Sequence, residues 1–386
     1  MDFKRFVPIY LAAMIGPMGG VGIITLLPVL AKSWNISIQW ISLTVTIYMI
    51  PYIVFQLFSG SIAHIFDTRR TLLFGFGVYS LGGFLSGLSP GLETLLAARF
   101  IQGVGAAFFN SIVMALVGEM VDPKHLGKAM GLLAVMYTLG VTMGPLISGV
   151  LEVSLGWPWF FFFLTALAVV TGAIYWITST AAKESDRGSG KISDAFPLIK
   201  KSFSYPNLRY VSFASFCLFL GYIGLITFAA DHLKVSFSLP SDRIGVILST
   251  GGFLGIGSSL IAGFMGDRFG LKPISYAGMG IMVTSILGLQ AVDYTYEKYI
   301  LIFGLFGIGS AASWASLNTL AVQAVPELRQ PATSVYNSFK FTGYALAPFI
   351  LSFLYIPFSI PAVRWACIAC ILLSLLFTSR MRRQMS

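Results

Sequence analysis

The feature that most constrains this chain is a series of twelve long runs that carry few charged residues. Six runs lie at 6–31, 38–63, 71–89, 92–118, 129–151 and 157–182, and six more at 210–230, 244–265, 273–292, 299–325, 331–355 and 361–379. A helix needs about 20 predominantly apolar residues to cross the hydrocarbon core of a bilayer, and these runs meet that length. The predicted fold class is therefore an all-α membrane protein with twelve transmembrane helices.

The composition excludes the main alternatives. Charged residues make up only 10% of the 386 residues and hydrophobic residues 56%, whereas soluble domains carry roughly 25% charged residues. A soluble single-core protein and an intrinsically disordered chain are both excluded. Cys217, Cys367 and Cys370 all lie in apolar runs, so we expect neither a disulfide framework nor a metal or redox site.

The basic residues predict the orientation. If both termini are cytoplasmic, 18 of the 25 Lys and Arg residues fall on the inner side and 5 on the outer side. This split follows the positive-inside rule and explains the net charge of +10 without a nucleic-acid partner. The apolar run from residue 6 is interpreted as an uncleaved first span, and we expect a multi-pass protein of the plasma (inner) membrane.

An internal repeat divides the chain in two. An offset of 203 residues pairs Gly60 with Gly263, Pro123 with Pro326, Gly140 with Gly343, and Pro145 with Pro348. We therefore predict two pseudo-symmetric six-helix bundles, 1–182 and 207–386, with a cytoplasmic linker at 183–206; transporters built from such repeats bind substrate between them. Residues 192–203 of the linker mix apolar and basic side chains. They are interpreted as a short interfacial helix, with a solvated linker as the alternative.

Three sequence motifs lie in or beside these spans. A loop motif of the form G-x-x-x-D-x-x-G-R-[RK] is matched by residues 263–272 at every fixed position except Leu271, which stands in the place of the arginine. Its first copy, residues 60–70, has His and Asp where Asp and Gly are usual. Residues 99–103 match R-x-x-Q-G, and residues 140–149 match G-x-x-x-G-P-x-x-G-G with Ser148 replacing one glycine. Over essentially the whole chain these residues resemble the major facilitator superfamily, and the last motif resembles its 12-span drug/proton antiporter branch.

The predicted gating residues come from two of these motifs. Charges at the inner end of a helix can bind neighbouring helix ends and hold an inner gate shut. The gating candidates at this end are Gly60, His64, Asp67, Arg69, Arg70, Asp267, Arg268 and Lys272, with Glu119 as the expected partner of Arg69 or Arg70. His64 is either a pH sensor or a neutral packed side chain.

The span 5 motif contributes the second group of gating candidates, Gly140, Gly144, Pro145 and Gly149. Small residues allow helices to approach closely, and the proline removes one backbone hydrogen bond. We expect a dry, bendable seam between the bundles near the outer side. Ordinary tight helix packing is the alternative.

Two cations lie inside predicted spans, where a charge costs roughly 2.5–3.5 kcal/mol on insertion scales. Arg99 is either a cavity cation that binds an anion or assists proton release, or a structural hydrogen-bond hub for backbone carbonyls. Lys340 is either a functional cation that can carry a proton, or a side chain that snorkels to the inner interface. The other candidates for a substrate or coupling site are polar residues within spans: Gln102, Asn110, Tyr137, Trp314, Asn318 and Asn337.

Acidic residues are missing from the middle of every predicted span, and Asp231 falls at an outer end. Since no acidic residue in the spans offsets Arg99 and Lys340, we expect anionic or zwitterionic cargo. The chain has no Gly-x-x-x-x-Gly-Lys-[Ser/Thr] motif and no nucleophile or acid pair typical of a membrane enzyme, so we predict a transporter, not an enzyme.

The predicted function is a secondary active transporter that works by alternating access and exports amphipathic organic compounds. We expect coupling to a proton gradient, no cofactor or metal, a small-molecule or lipid-like substrate, contact with membrane lipids, and a monomer. A lipid or glycolipid flippase and an organic-anion uptake symporter are the alternatives.

Overall fold

The computed structural model describes residues 3–65, 68–120, 126–179, 195–325 and 329–381, and every regular element in these ranges is a helix. The helices are α1 (Phe3–Trp34), α2 (Ile38–Ile65), α3 (Thr68–Gly87), α4 (Leu92–Met120), α5 (Leu126–Leu155), α6 (Pro158–Thr178), α7 (Ala195–Phe203), α8 (Pro206–Phe237), α9 (Ser241–Phe269), α10 (Leu271–Ala291), α11 (Tyr296–Ala324) and α12 (Arg329–Arg380).

The predicted all-α membrane architecture is confirmed. Ten helices in the described ranges are long and apolar enough to cross a membrane. A further long helix, α3, carries Arg69, Arg70 and several glycines and is less apolar. The twelve predicted spans correspond to α1–α6, α8–α11 and the two parts of α12, with ends that differ by a few residues.

Predicted spans 11 and 12 are the two helical parts of α12, which meet at a kink. Ser359 interrupts α12 with non-helical backbone angles, φ 60° and ψ −168°. Pro357 and Pro361 flank this kink, and their fixed φ angles suit the helical segments on either side. Ser359 therefore separates two helical parts of α12, the first ending at the kink and the second continuing to Arg380.

The N-terminal helices α1–α6 contact the C-terminal helices α8–α12 mainly through two helix pairs. Helix α5 packs against α9, and α2 packs against α12, so one core cluster includes residues from both groups. The division into bundles at 183–206 stays a prediction, because 180–194 lies outside the described residues. Helix α7 forms within the predicted 192–203 segment, and Phe203 stacks on Phe339 of α12 at 5.6 Å between ring centroids.

Side chains at many helix surfaces are apolar and exposed, as expected where lipid is the solvent. Phe264 is 80% exposed and Ile177 79% exposed. We call the face with the connections 34–38, 87–92, 155–158, 237–241 and 291–296 the predicted outer face, since the orientation itself is an expectation from the charge pattern.

Candidate functional site: a central compartment with two buried cations

Arg99 lies in α4 and is fully buried. Its guanidinium donates to Gln102 Oε1 at 2.6 Å, to the Gly19 carbonyl of α1 at 3.1 Å and to the Thr44 carbonyl of α2 at 3.4 Å. Its Cζ atom lies 4.0 Å from the centroid of the Tyr48 ring, a cation–π distance. All three guanidinium nitrogens donate within the protein, so this geometry corresponds to the hydrogen-bond hub, the second of the two interpretations given above.

Glycines of α1 allow tyrosine hydroxyls to reach this hub. Tyr48 donates to the Gly16 carbonyl at 2.7 Å, and Tyr79 donates to the Ile15 carbonyl at 3.2 Å. A Cβ atom on Gly16 would collide with the Tyr52 hydroxyl. The three-residue spacing of Arg99 and Gln102 puts them on one helix face, which the sequence indicated, while the tyrosines come from α2 and α3.

Lys340 lies in α12, eleven residues after its start, and only 7% of its surface is exposed. Its ammonium donates to Asn337 Oδ1 at 2.7 Å. Four aromatic rings surround the ammonium within 6 Å of their centroids: Phe341 at 4.8 Å, Trp314 at 5.3 Å, Tyr336 at 5.7 Å and Phe219 at 5.8 Å. We call these four rings the Lys340 cage.

The charge of Lys340 is compensated only by neutral groups. Within the described chain its contacts are one amide oxygen and the Lys340 cage, and none is a carboxylate. Cation–π contacts stabilise an ammonium by about 0.5–2 kcal/mol each, and several kcal/mol is the usual cost of taking an ion out of water. Because these neutral groups supply no negative charge, an anionic ligand would add the ion pair that Lys340 lacks within the described chain.

Side-chain contacts connect the two cation sites. Tyr52 of α2 contacts Phe341 of α12 at 5.4 Å between ring centroids, and Thr46 donates to the Ala345 carbonyl at 2.6 Å. A Cβ atom on Gly20 would lie 3.7 Å from the Tyr344 hydroxyl, so this residue of α12 reaches α1. We call the group of side chains Tyr48, Tyr52, Tyr137, Trp314, Lys340 and Tyr344 the central compartment.

Hydrogen-bond donors in this compartment are left without protein partners. The hydroxyls of Tyr137 and Tyr344 and the indole nitrogen of Trp314 are hidden from solvent and make no hydrogen bond within the described protein. Buried donors are normally satisfied. Together with the Lys340 ammonium they suit a ligand that offers several acceptor oxygens and a negative charge.

The positions of two other predicted site residues, Asn318 and Asn110, add little to the description of the site. Asn318 is half-buried, one turn after Trp314 in α11. Asn110 lies in α4, and its side chain is outside the described residues. Sequence reasoning did not single out Tyr52, Phe219, Tyr336 or Phe341; the four-residue spacing from Tyr48 to Tyr52 was the available signal. The four-residue spacing from Lys340 to Tyr344 did indicate that these two residues share a helix face.

The predicted span 5 seam divides between two partners. A Cβ atom on Gly140 would collide with the Met14 carbonyl, and one on Gly144 would lie 2.8 Å from the Met18 carbonyl, so both glycines face α1. Gly149 instead faces α9, where a Cβ atom would collide with the Ser241 carbonyl.

The Pro145 carbonyl also belongs to the contact with α9. A Cβ atom on Gly245 would collide with it, and Ser249 donates to the neighbouring Thr142 carbonyl at 2.7 Å. The close contact of α5 with α9 therefore runs from Thr142 to Gly149, toward the predicted outer face.

The described residues of the predicted inner gate bind backbone and aromatic groups. Arg69 donates to the Trp176 carbonyl at 3.1 Å and lies 5.6 Å from that ring, Lys272 donates to the Met381 carbonyl, and Arg268 lies 5.3 Å from the Phe269 ring. Arg70 is exposed at the start of α3. Asp67 lies outside the described residues, as do the side-chain environments of Gly60, His64, Glu119 and Asp267.

A family model for the Major Facilitator Superfamily matches this chain twice, at residues 9–230 and 211–384. The chain belongs to the Major Facilitator Superfamily. The confirmed membership also explains the twelve-span architecture and the repeat at 203 residues.

Curated members of the superfamily resemble the chain at low identity. It is 23% identical over 357 residues to the riboflavin transporter RibZ of Clostridioides difficile, covering 78% of this chain and 77% of that protein. It is 24% identical over 360 residues to the bacillibactin exporter of Bacillus subtilis, covering 89% and 88%. The multidrug resistance protein Stp of Mycobacterium tuberculosis is 24% identical over 356 residues, covering 78% and 66%.

Proposed function

We propose that this superfamily transporter exports amphipathic organic anions or zwitterions by alternating access. The observation that carries the proposal is the Lys340 ammonium, which is buried in the central compartment without a carboxylate partner in the described chain. A site that already holds an unpaired positive charge disfavours a cationic ligand, because like charges repel strongly where water is excluded.

The unpartnered donors support the same cargo chemistry. The Tyr137 and Tyr344 hydroxyls and the Trp314 indole nitrogen can each donate to an acceptor oxygen of the ligand. Aromatic rings of the Lys340 cage provide flat apolar surfaces for the rest of an amphipathic molecule. A cargo that lacked acceptors would leave these buried donors unsatisfied at a cost of about 1–3 kcal/mol each.

The helix arrangement supports alternating access between two groups of helices. The compartment lies where α2 meets α12, and α5 meets α9 in the second contact between the groups. Glycines at the α5–α9 contact let the backbones approach closely without interlocking side chains, so the contact can separate as the groups rock.

Export, rather than uptake, is proposed because two relatives are named as a bacillibactin exporter and a multidrug resistance protein. We further propose coupling to the proton gradient, a plasma-membrane location with both termini cytoplasmic, a monomeric state and no cofactor. The span 5 motif and the charge distribution of the connections support these points.

Transport of two dyes with a shared xanthene ring system tests the cargo charge. Purified protein is reconstituted into liposomes with an imposed pH gradient, and fluorescein, an anion, is compared with rhodamine 123, a cation. We expect faster transport of fluorescein, and we expect Lys340→Gln to reduce it about tenfold or more, since an ion pair in a dry site contributes more than about 1.4 kcal/mol.

The matched control is Lys298→Gln, which removes an exposed lysine at the start of α11. This control is expected to transport fluorescein at the wild-type rate. Faster transport of rhodamine 123 by the wild type, or equal fluorescein rates for Lys340→Gln and Lys298→Gln, would contradict the proposal.

A further inference from the structure

One acidic side chain is buried in the described chain, and it lies outside the central compartment. Asp231 is 7% exposed, six residues before the end of α8, or about 9 Å below the predicted outer face at 1.5 Å per residue. Its Oδ2 atom accepts a hydrogen bond from the Tyr355 hydroxyl of α12 at 2.7 Å. The Tyr355 ring in turn packs on Phe228, with 4.7 Å between ring centroids.

Within the described residues, no hydrogen bond or ion pair joins a cation to the Asp231 carboxylate. The charged and titratable groups at the same end of the neighbouring helices have other contacts or lie at the helix ends. On α8, His232 Nδ1 lies 2.9 Å from Ser236 Oγ, and Lys234 donates to Ser241. On α12, Arg364 donates to Gln290 and Tyr299. On α9, Arg243 lies over the Tyr296 ring and Asp242 is half-buried, and on α1 Lys32 lies at the outer end. Tyr355 is thus the polar group that contacts Asp231.

Tyr355 also stands next to the strained point of α12. Ser359, with its φ of 60°, follows four residues later. A contact between Tyr355 and Asp231 therefore fixes the α12 segment just before the kink against the outer end of α8.

We propose that Asp231 and Tyr355 form a proton-binding site that holds the outer ends of α8 and α12 together when Asp231 is protonated. A carboxylate with one hydrogen bond and no cation is costly to bury, so the packed arrangement favours the neutral acid. Separation of the helix ends admits water and favours the ionised form. By thermodynamic linkage, low pH at the predicted outer face stabilises the packed arrangement, and the packed arrangement favours protonation of Asp231 by the same free energy.

The chemical step is a simple protonation. A proton from water at the predicted outer face adds to a carboxylate oxygen of Asp231 and gives a neutral carboxyl group, while the Tyr355 hydroxyl keeps its own proton. The reverse step returns the proton to water. This inference rests on the proposed proton coupling and names the group at which outer pH acts.

Two measurements on purified protein test the proton site without any substrate. The first is a pH titration by infrared spectroscopy, which follows the C=O stretch of protonated carboxyl groups. The second is the distance between spin labels at Val235 of α8 and Phe353 of α12, both exposed, in a chain whose three native cysteines are replaced by alanine.

In the wild type we expect one carboxyl band to disappear as pH rises, with the label distance increasing over the same pH range. Asp231→Asn is expected to lack that band and to keep the short distance at every pH. Tyr355→Phe should move both transitions to lower pH by about one unit, since the packed arrangement loses a hydrogen bond between the helix ends that contributes about 1.4 kcal/mol. Glu297→Gln, at an exposed acid of α11, should behave as the wild type.

A wild-type label distance that does not change with pH would overturn the proposal, and so would an Asp231→Asn variant that follows the wild-type transition. Exchange of fluorescein without a pH gradient, measured on the same preparation, reports on the proposed function alone. Absence of exchange with an intact Asp231 transition contradicts the cargo assignment, while normal exchange without the transition contradicts the proton site.

Discussion

Arg99 and Lys340 are both buried cations, and they differ in how the protein compensates the charge. The Arg99 guanidinium donates to three acceptors on α1, α2 and α4. The Lys340 ammonium has one amide acceptor and the Lys340 cage. An arginine with a full set of partners fixes helices relative to one another, whereas a lysine without a counter-ion can bind one.

The first prediction follows from this difference. Arg99→Gln should lower the free energy of unfolding by about 2 kcal/mol or more, because the Gly19 and Thr44 carbonyls lose their donor inside the protein. Thermal unfolding of the purified protein, followed by the loss of its monodisperse peak on size-exclusion chromatography, measures the effect. Lys340→Gln is the contrasting variant and should unfold at or above the wild-type temperature, since it removes a costly buried charge. Equal unfolding temperatures for Arg99→Gln and the wild type would show that Arg99 is not a structural hub.

Some of this residue-scale picture is visible in the sequence. The three-residue spacings from Arg99 to Gln102 and from Asn337 to Lys340 place each pair on one helix face, and both pairs are hydrogen-bonded. The Lys340 cage could not be predicted in full, because Phe219 and Trp314 belong to α8 and α11 and their approach depends on helix packing. Burial of Asp231 depends in the same way on Tyr355 of α12.

At the scale of the elements, the α5–α9 contact is the part most sensitive to side-chain size. Gly149 and Gly245 each face a carbonyl of the opposite helix so closely that a Cβ atom would collide with it. The sequence predicted this seam for the whole glycine motif, but Gly140 and Gly144 face α1. Motif spacing does not reveal which neighbour a glycine meets, because several helices surround α5.

The second prediction tests this contact. Gly149→Val should hold the ends of α5 and α9 apart and raise the labelling rate of a cysteine placed at the buried Ser241 about tenfold, since overpacking costs about 1–3 kcal/mol. The rate is measured with a membrane-impermeant maleimide after alanine replacement of the native cysteines. Gly257→Val is the control, since a Cβ atom at Gly257 of α9 would meet open space. An unchanged labelling rate in Gly149→Val would contradict a close contact between α5 and α9 at Gly149.

The third prediction concerns the kink in α12. Ser359→Gly should raise the free energy of unfolding by about 1 kcal/mol, because glycine adopts the backbone angles at Ser359 without strain. The matched control, Ser379→Gly, lies in a regular exposed part of the same element and should lower it by about 1 kcal/mol. Unfolding temperatures of the two variants should therefore shift in opposite directions. A shift to lower temperature in Ser359→Gly would contradict a strained kink.

At the scale of the whole molecule, hydropathy and spacing were sufficient to predict the twelve spans, because the bilayer imposes a minimum length on each helix. The join between spans 11 and 12 was not predictable, since a single serine at positive φ has no sequence signature. The motifs also resemble those of the superfamily, and the family match confirms that membership. The sequence did not distinguish the surroundings of the two buried cations. The packing of the helices gives Arg99 three hydrogen-bond acceptors and Lys340 one, and the proposed cargo role of Lys340 rests on this difference.

Equilibrium binding of the two xanthene dyes to the purified protein in nanodiscs tests the cargo assignment most directly, since it depends on neither coupling nor direction. Fluorescence anisotropy gives the affinities of fluorescein and rhodamine 123 for the wild type, Lys340→Gln and Lys298→Gln. The account predicts that the wild type and Lys298→Gln bind fluorescein about tenfold or more tightly than rhodamine 123, and that Lys340→Gln loses this preference. Tighter binding of rhodamine 123 by the wild type, or an unchanged preference in Lys340→Gln, would contradict the account.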